Sequence, residues 1–103
     1  GNSSAYVYAP RMSTGSWNSK KSAIISKVTS CQQVFVGCYG NSYDIYGRKL
    51  FVSGHAFAIV GYDKSTDQFV LRNPWGSGSS RYVGQFKASW TQLYSVKALV
   101  AYT

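Results

Sequence analysis

At 103 residues, with 45% hydrophobic and 17% aromatic content, the chain is one small domain or part of one, of a size that buries roughly 60–70% of its unfolded surface. Eleven Lys and Arg stand against three acids, Asp44, Asp63 and Asp67, with no Glu, for a net charge of +8. So few carboxylates argue against two-acid glycosidase chemistry and oxygen-rich calcium or magnesium cages, and no apolar run nears the roughly 18–20 residues of a membrane-spanning helix. The basic residues are dispersed, with only Lys20-Lys21 and Arg48-Lys49 adjacent. A field of this kind favours an acidic partner chain or substrate, and without a basic stripe nucleic acid is not the expected partner. Gly1-Asn2-Ser3-Ser4 has no signal-peptide apolar core, and a start at Gly rather than Met leaves room for residues N-terminal to it.

Residues 1–20 are rich in Ser, Asn, Gly and Tyr with Pro10 and Gly15 as breakers, and read as an N-terminal loop or arm with a short strand at Tyr6-Val7-Tyr8. That bias fits a secreted protein. The remainder, residues 21–103, reads as one domain. Ser22 is placed to cap a helix running to about Thr29, with Ala23, Ile24, Ile25 and Val28 on one face. Gln33 to Tyr39 alternates as a half-buried strand does. Asn41 to Gly47 reads as a surface loop, followed by a short strand from Lys49 to Val52. Ala56 to Tyr62 is continuously apolar, which predicts a strand covered on both faces. Asp63 to Asp67 is a turn, and Gln68 to Arg72 returns as the second arm of a hairpin, ended by Pro74, which has no N–H for a ladder. Gly76 to Ser80 is a loop, Tyr82 to Phe86 a short strand, Ser89 the cap of a helix through Tyr94, and Val96 to Tyr102 a closing strand. The expected class is α+β: a mostly antiparallel sheet or partial barrel with one or two short helices, lacking βαβ alternation and a phosphate loop.

His55 is the one histidine in the chain. The turn at residues 63–67 folds the chain back, so His55 at the start of one strand and Asn73 at the end of the next are expected side by side. An amide oxygen bonded to one imidazole nitrogen fixes the tautomer and leaves the other free to take a thiol proton. Such a base-and-orienter pair belongs to Cys-His-Asn catalysis. Asn73 precedes Pro74, which restricts its backbone to extended conformations, and Trp75 is placed to cover the His-Asn hydrogen bond from water. Gly54 leads directly into His55. No cofactor or metal is called for: two cysteines and one histidine fall short of a four-ligand zinc site.

Gly54-His55-Ala56-Phe57-Ala58-Ile59-Val60-Gly61-Tyr62 resembles the histidine strand of papain-like cysteine proteases, and Phe69-Val70-Leu71-Arg72-Asn73-Pro74-Trp75-Gly76 resembles their asparagine strand. Proline after the asparagine is similar to the calpain-like branch, as is, more weakly, Gly84-Gln85-Phe86-Lys87-Ala88-Ser89-Trp90-Thr91-Gln92-Leu93. The resemblance implies the C-terminal, His/Asn-bearing subdomain of such a protease, with peptide bond hydrolysis as its activity. Family members carry the nucleophilic cysteine at the start of a long helix, with a glutamine upstream. Cys31 is instead followed by the strand pattern Gln32-Gln33-Val34-Phe35-Val36, and Cys38 shares a strand face with Val34 and Val36 as a small buried residue would. An extended segment between them at about 3.3 Å per residue puts them beyond the roughly 7 Å Cα separation of a disulfide. The nucleophile is therefore expected from a second polypeptide chain. Two alternatives remain: a non-catalytic protease-like half that binds a protein, and a basic, tyrosine-rich nucleic-acid binder with strong salt dependence.

Overall fold

The computed structural model describes residues 5–40, 51, 54, 56–73 and 83–102. In chain order the elements are β1 (Ala5–Tyr8), a 3-10 turn (Ala9–Arg11), α1 (Thr14–Ser19), α2 (Lys21–Thr29), β2 (Val34–Gly37), β3 (Ala56–Asp63), β4 (Gln68–Arg72), β5 (Gln85–Ala88), α3 (Trp90–Ser95) and β6 (Leu99–Tyr102). The fold is α+β. Its strands form one open six-stranded sheet in the order β1-β6-β2-β3-β4-β5, and every neighbouring pair is antiparallel.

Period-two alternation decides what each strand buries. Val7, Val100, Val36 and Phe57 lie opposite one another across β1, β6, β2 and β3, and Ile59, Leu71 and Phe86 continue the same side across β3, β4 and β5. The three described helices pack their apolar residues into the cluster these side chains make: Trp17 of α1, Ile24 and Val28 of α2, Trp90 and Leu93 of α3. The opposite face carries the row Tyr6, Ala101, Phe35, Ala58, Arg72 and Gln85. On that face Tyr6 and Phe35 remain 62% and 46% exposed. The expectation that Ala56 to Tyr62 is covered on both faces is therefore corrected. Phe57 and Ile59 are buried while Val60, at an irregularity in the β3–β4 register, is 51% exposed, because the helices all lie on one side.

The first twenty residues are more structured than their composition suggests. Ser13 caps α1, its hydroxyl accepting from the Ser16 N–H at 3.2 Å, and helix occupies a stretch expected as loop. β1 falls where the short strand was placed, and it pairs with β6 at the opposite end of the sequence. Trp17 is fully buried and stacks on Trp90 with ring centroids 4.1 Å apart at 12°. Each indole N–H donates to the other residue's backbone carbonyl, Trp17 Nε1 to Trp90 O at 2.9 Å and Trp90 Nε1 to Trp17 O at 2.7 Å.

Other boundaries shift for local reasons. Ser22 does not cap α2; it lies inside a helix that begins at Lys21, with Lys20 at the cap position and no side-chain capping bond. α2 and α3 both end in Schellman geometry: Gln32 N–H reaches Lys27 O at 3.0 Å and Ala98 N–H reaches Leu93 O at 3.0 Å. The left-handed residues of these motifs are Cys31 (φ 60°) and Lys97 (φ 58°) rather than glycine. That second motif delays the closing strand to Leu99. The strand placed at Tyr82–Phe86 runs instead over Gln85–Ala88. Gly40 lies where a Cβ would come within 3.0 Å of the Val96 Cα, and only the lack of a side chain lets the Tyr39 and Gly40 N–H groups both donate to Val96 O. The expected loop at 41–47 and the loop at 76–80 lie outside the described residues, as does the strand at 49–52 apart from Phe51, a buried bend residue.

Candidate active site

The β3–β4 hairpin builds one end of the site. Ala58 pairs with Arg72 and Ile59 with Leu71, so the start of β3 and the end of β4 share one end of the sheet. β4 stops at Arg72, one residue before the Asn73-Pro74 step that cannot continue a ladder. Asn73 itself is 1% exposed, the sole buried polar residue among those described. Its backbone N–H donates to Gly84 O at 2.7 Å, tying it to the segment that leads into β5. It follows Phe69 and Leu71 in the buried phase of β4, which directs its amide to the core side rather than to the open face.

Gly54 approaches the same end from the other side. Its φ of 77° lies in the left-handed region, which glycine enters without strain, and its N–H donates to Cys38 O at 2.8 Å. This bond fixes the residue before position 55 to the end of β2. Of the expected site residues, Gly54 and Asn73 are thus both at this end of the sheet, while His55 and Trp75 lie outside the described residues. The Gly37-Cys38-Tyr39 segment and Gly84, which hold Gly54 and Asn73, carry no chemical signature in the sequence; backbone carbonyls did the holding.

Neither cysteine is in a disulfide. Cys38 is 1% exposed within the core, as its phase with Val34 and Val36 predicted. Cys31 is exposed, but it follows the C-terminus of α2, the negative end of a helix and the wrong one for holding an anion. Neither has the helix N-terminus that activates a catalytic thiol.

The described acids, Asp63 and Asp67, lie at the far end of the hairpin. Asp67 accepts from Lys21 Nζ at 2.6 Å and from the Tyr62 hydroxyl, and Asp63 pairs with Lys87 and accepts from Ser65. The Lys87 ammonium and the Ser65 hydroxyl hold the Asp63 carboxyl well below the usual carboxylate range; Lys21 and then Tyr62 do the same, less strongly, for Asp67. The Tyr62 phenol is pushed up by the carboxylate it donates to. Both described acids are therefore occupied by internal partners, and they lie at the opposite end of β3 from Ala56.

No curated protein matches the chain. A family model described as the Peptidase_C39 like family matches residues 2–98, a span that takes in both strands of the hairpin, Gly54, Asn73 and the α1 segment stacked on α3. By that match the chain belongs to the Peptidase_C39 like family, a family of cysteine peptidases.

Proposed function

We propose that the chain is the His/Asn-bearing part of a papain-like cysteine peptidase, with its asparagine strand of the calpain-like type, and that it hydrolyses peptide bonds with a nucleophilic cysteine supplied by another polypeptide chain. His55 is the base and Asn73 its orienter, with Trp75 shielding their hydrogen bond and Gly54 setting the entry to the strand. The single observation that carries this reading is the buried Asn73 at the end of β4, at the same end of the sheet as Gly54 and Ala56, the sequence neighbours of His55. In the reaction the imidazole accepts the thiol proton, and the thiolate adds to the substrate carbonyl to give a tetrahedral oxyanion. Collapse transfers the imidazolium proton to the departing amine and leaves an acyl-thioester. Water, deprotonated by the same imidazole, then releases the acid and restores the thiol.

The test is peptide cleavage by the native two-chain material. His55→Ala removes general acid–base catalysis and is expected to lower kcat by about 10²–10⁴-fold or abolish it. Asn73→Ala, which leaves the imidazole in place but unoriented, is expected to cost less than His55→Ala. Undiminished cleavage by the His55 variant refutes the reading.

The open sheet face favours a second reading. Tyr6, Phe35 and Val60 are large apolar residues left exposed on it, and contiguous exposed apolar surface marks protein contact. A protease-like half that only binds a protein partner would use that face. If no cysteine-bearing chain accompanies the native material and a protein partner does, while no peptide is cleaved, the binding module replaces the peptidase.

A further inference from the structure

The sheet end that carries Gly54 extends across β2, β6 and β1. Tyr8 of β1 pairs with Leu99 of β6, Leu99 with Gly37 of β2, and Gly37 with Ala56 of β3. The segments that follow β1 and precede β6 therefore border the same end. Each carries an exposed cation, Arg11 on the 3-10 turn after β1 and Lys97 in the turn before β6. The Ala9 N–H donates to Ala98 O at 2.9 Å, which holds the two segments side by side.

Both cations are positioned by their surroundings. The Arg11 guanidinium carbon lies 5.9 Å from the centroid of the Tyr8 ring, and Tyr8 stands edge-on to Tyr39, with centroids 6.1 Å apart at 76°. A guanidinium already held over a ring loses less freedom when its planar N–H fork takes a carboxylate. Lys97 is left-handed at φ 58° in the Schellman turn that ends α3, where Ala98 N–H reaches Leu93 O at 3.0 Å and Val96 O accepts from both Tyr39 and Gly40. Beside it, the 3-10 turn and the end of α3 leave a hollow of about 420 Å³ lined by Ala9, Pro10, Tyr94, Ser95 and Lys97, within the roughly 300–1,000 Å³ of clefts that hold a ligand. The only charge on that lining is the Lys97 ammonium. Asp67 and Asp63 are ion-paired to Lys21 and Lys87 at the far end of the hairpin, so among the described residues no carboxylate neutralises Arg11 or Lys97.

We propose that Arg11 and Lys97 form a binding site for acidic side chains of a peptide. Resting on the catalytic reading of His55, they are then specificity-determining residues that select substrates acidic at a distance from the cleaved bond. The row Tyr8, Leu99, Gly37, Ala56 crosses three strand spacings of about 4.8 Å each, about 14 Å in all, which an extended peptide spans in about four residues at about 3.3 Å per residue. The acidic residues therefore lie about four or more positions from the bond cleaved beside His55. A net charge of +8 draws such a peptide in, and the two cations fix its register.

Two measurements separate this proposal from the catalytic one. In the native two-chain material, peptides with Asp at single positions are compared with their Asn counterparts. An Asp about four or more positions from the cleaved bond is expected to raise kcat/KM by about three- to fivefold at low salt, the size of a surface ion pair. The gain falls on KM rather than kcat, as an interaction made equally in ground and transition state does. It is expected to vanish in about 1 M salt, where charges are screened beyond about 3 Å. The double variant Arg11→Glu, Lys97→Glu is expected to reverse the preference, so that Lys at that position outruns Asp, which a merely structural role would not produce. Arg11→Gln and Lys97→Gln, made singly, each remove part of the Asp preference and keep the test open if the double variant fails to assemble. Independently of cleavage, acetyl-Ala-Asp-Asp-Ala-amide titrated into the 103-residue chain is expected to shift the amide resonances of Ala9, Arg11, Lys97 and Ala98, while the Asn analogue does not, and the charge-reversed variant shows no shifts. Shifts without cleavage keep the acidic-peptide site and overturn the peptidase. Cleavage with no Asp preference, or with a preference that the variants leave intact, overturns the site and keeps the peptidase. No shifts and no cleavage overturn both.

Discussion

Replacing Trp17 by Phe isolates the contact that docks the first helix. Trp17 has no solvent exposure, and the change deletes the N–H that donates to Trp90 O while leaving a ring to stack. The lost bond leaves a carbonyl in the first turn of α3 short of one partner. Because a carbonyl has a second lone pair, the cost falls near the lower end of the 1–3 kcal/mol penalty for an unmet buried group, about 1 kcal/mol. The smaller ring also forfeits the burial of one to two methylene equivalents at about 0.8 kcal/mol each. Together these give about 2–3 kcal/mol. Trp17→Ala removes the stack as well and reaches about 5 kcal/mol, the upper end for an aromatic truncated to Ala. A chain of this size is stable by about 5–15 kcal/mol, so the Phe variant folds and the Ala variant is marginal. Urea unfolding followed by far-UV circular dichroism reads the difference: with a slope of about 1–3 kcal/mol per molar, Trp17→Phe lowers the midpoint by about 0.7–3 M at unchanged slope. Trp17→Phe, Trp90→Phe and the double variant should be non-additive, since each indole bonds to the other residue. A loss below about 0.5 kcal/mol for Trp17→Phe refutes the reasoning, for it means that neither the Trp17 N–H bond to Trp90 O nor the larger ring contributes to stability.

Three further outcomes follow from the same geometry. Asp63 and Asp67 have depressed folded-state values, so their contribution is present above about pH 4, the usual carboxylate value, and is lost as pH falls below it. Asp63→Asn combined with Asp67→Asn is therefore expected to lower stability near neutrality and to converge on the unsubstituted protein as the pH falls, which flattens the acid limb of a stability-against-pH curve; an unaltered acid limb sinks the assignment. Ser89 and Gln92 form a capping box at the start of α3, and Ser89→Ala is expected to cost about 0.5–2 kcal/mol in urea unfolding; a cost of zero would count against the box. Cys31 holds the left-handed position after α2, so Cys31→Gly is expected to stabilise by up to about 1 kcal/mol and to leave peptide cleavage unchanged. Loss of cleavage in that variant would make Cys31 the nucleophile after all.

Features coded over a few residues were legible. The turn at 63–67 between two apolar arms became the β3–β4 hairpin, Ser89 with Gln92 three residues on became a capping box, and β4 ended at Arg72, directly before Asn73. Helix ends were harder to read because their left-handed positions hold Cys31 and Lys97 instead of glycine. The turn chemistry was present in the backbone without the residue that usually announces it. α1 was missed for a related reason: Ser13 and Ser16 read as loop composition, and the helix around them is held mainly by Trp17, whose partner lies 73 residues away.

The chain's order of residues was enough to establish the antiparallel, short-strand α+β character and the hairpin, since both depend on neighbours within about ten positions. Tertiary structure alone decided the rest. It inserted β6 between β1 and β2 and put every helix on one side of the sheet. It thereby turned a continuously apolar segment into a strand with one buried and one open face. Periodicity says which residues share a face, but burial belongs to whatever packs against it. That is why Asn73 is in the core, although nothing local distinguishes the two sides.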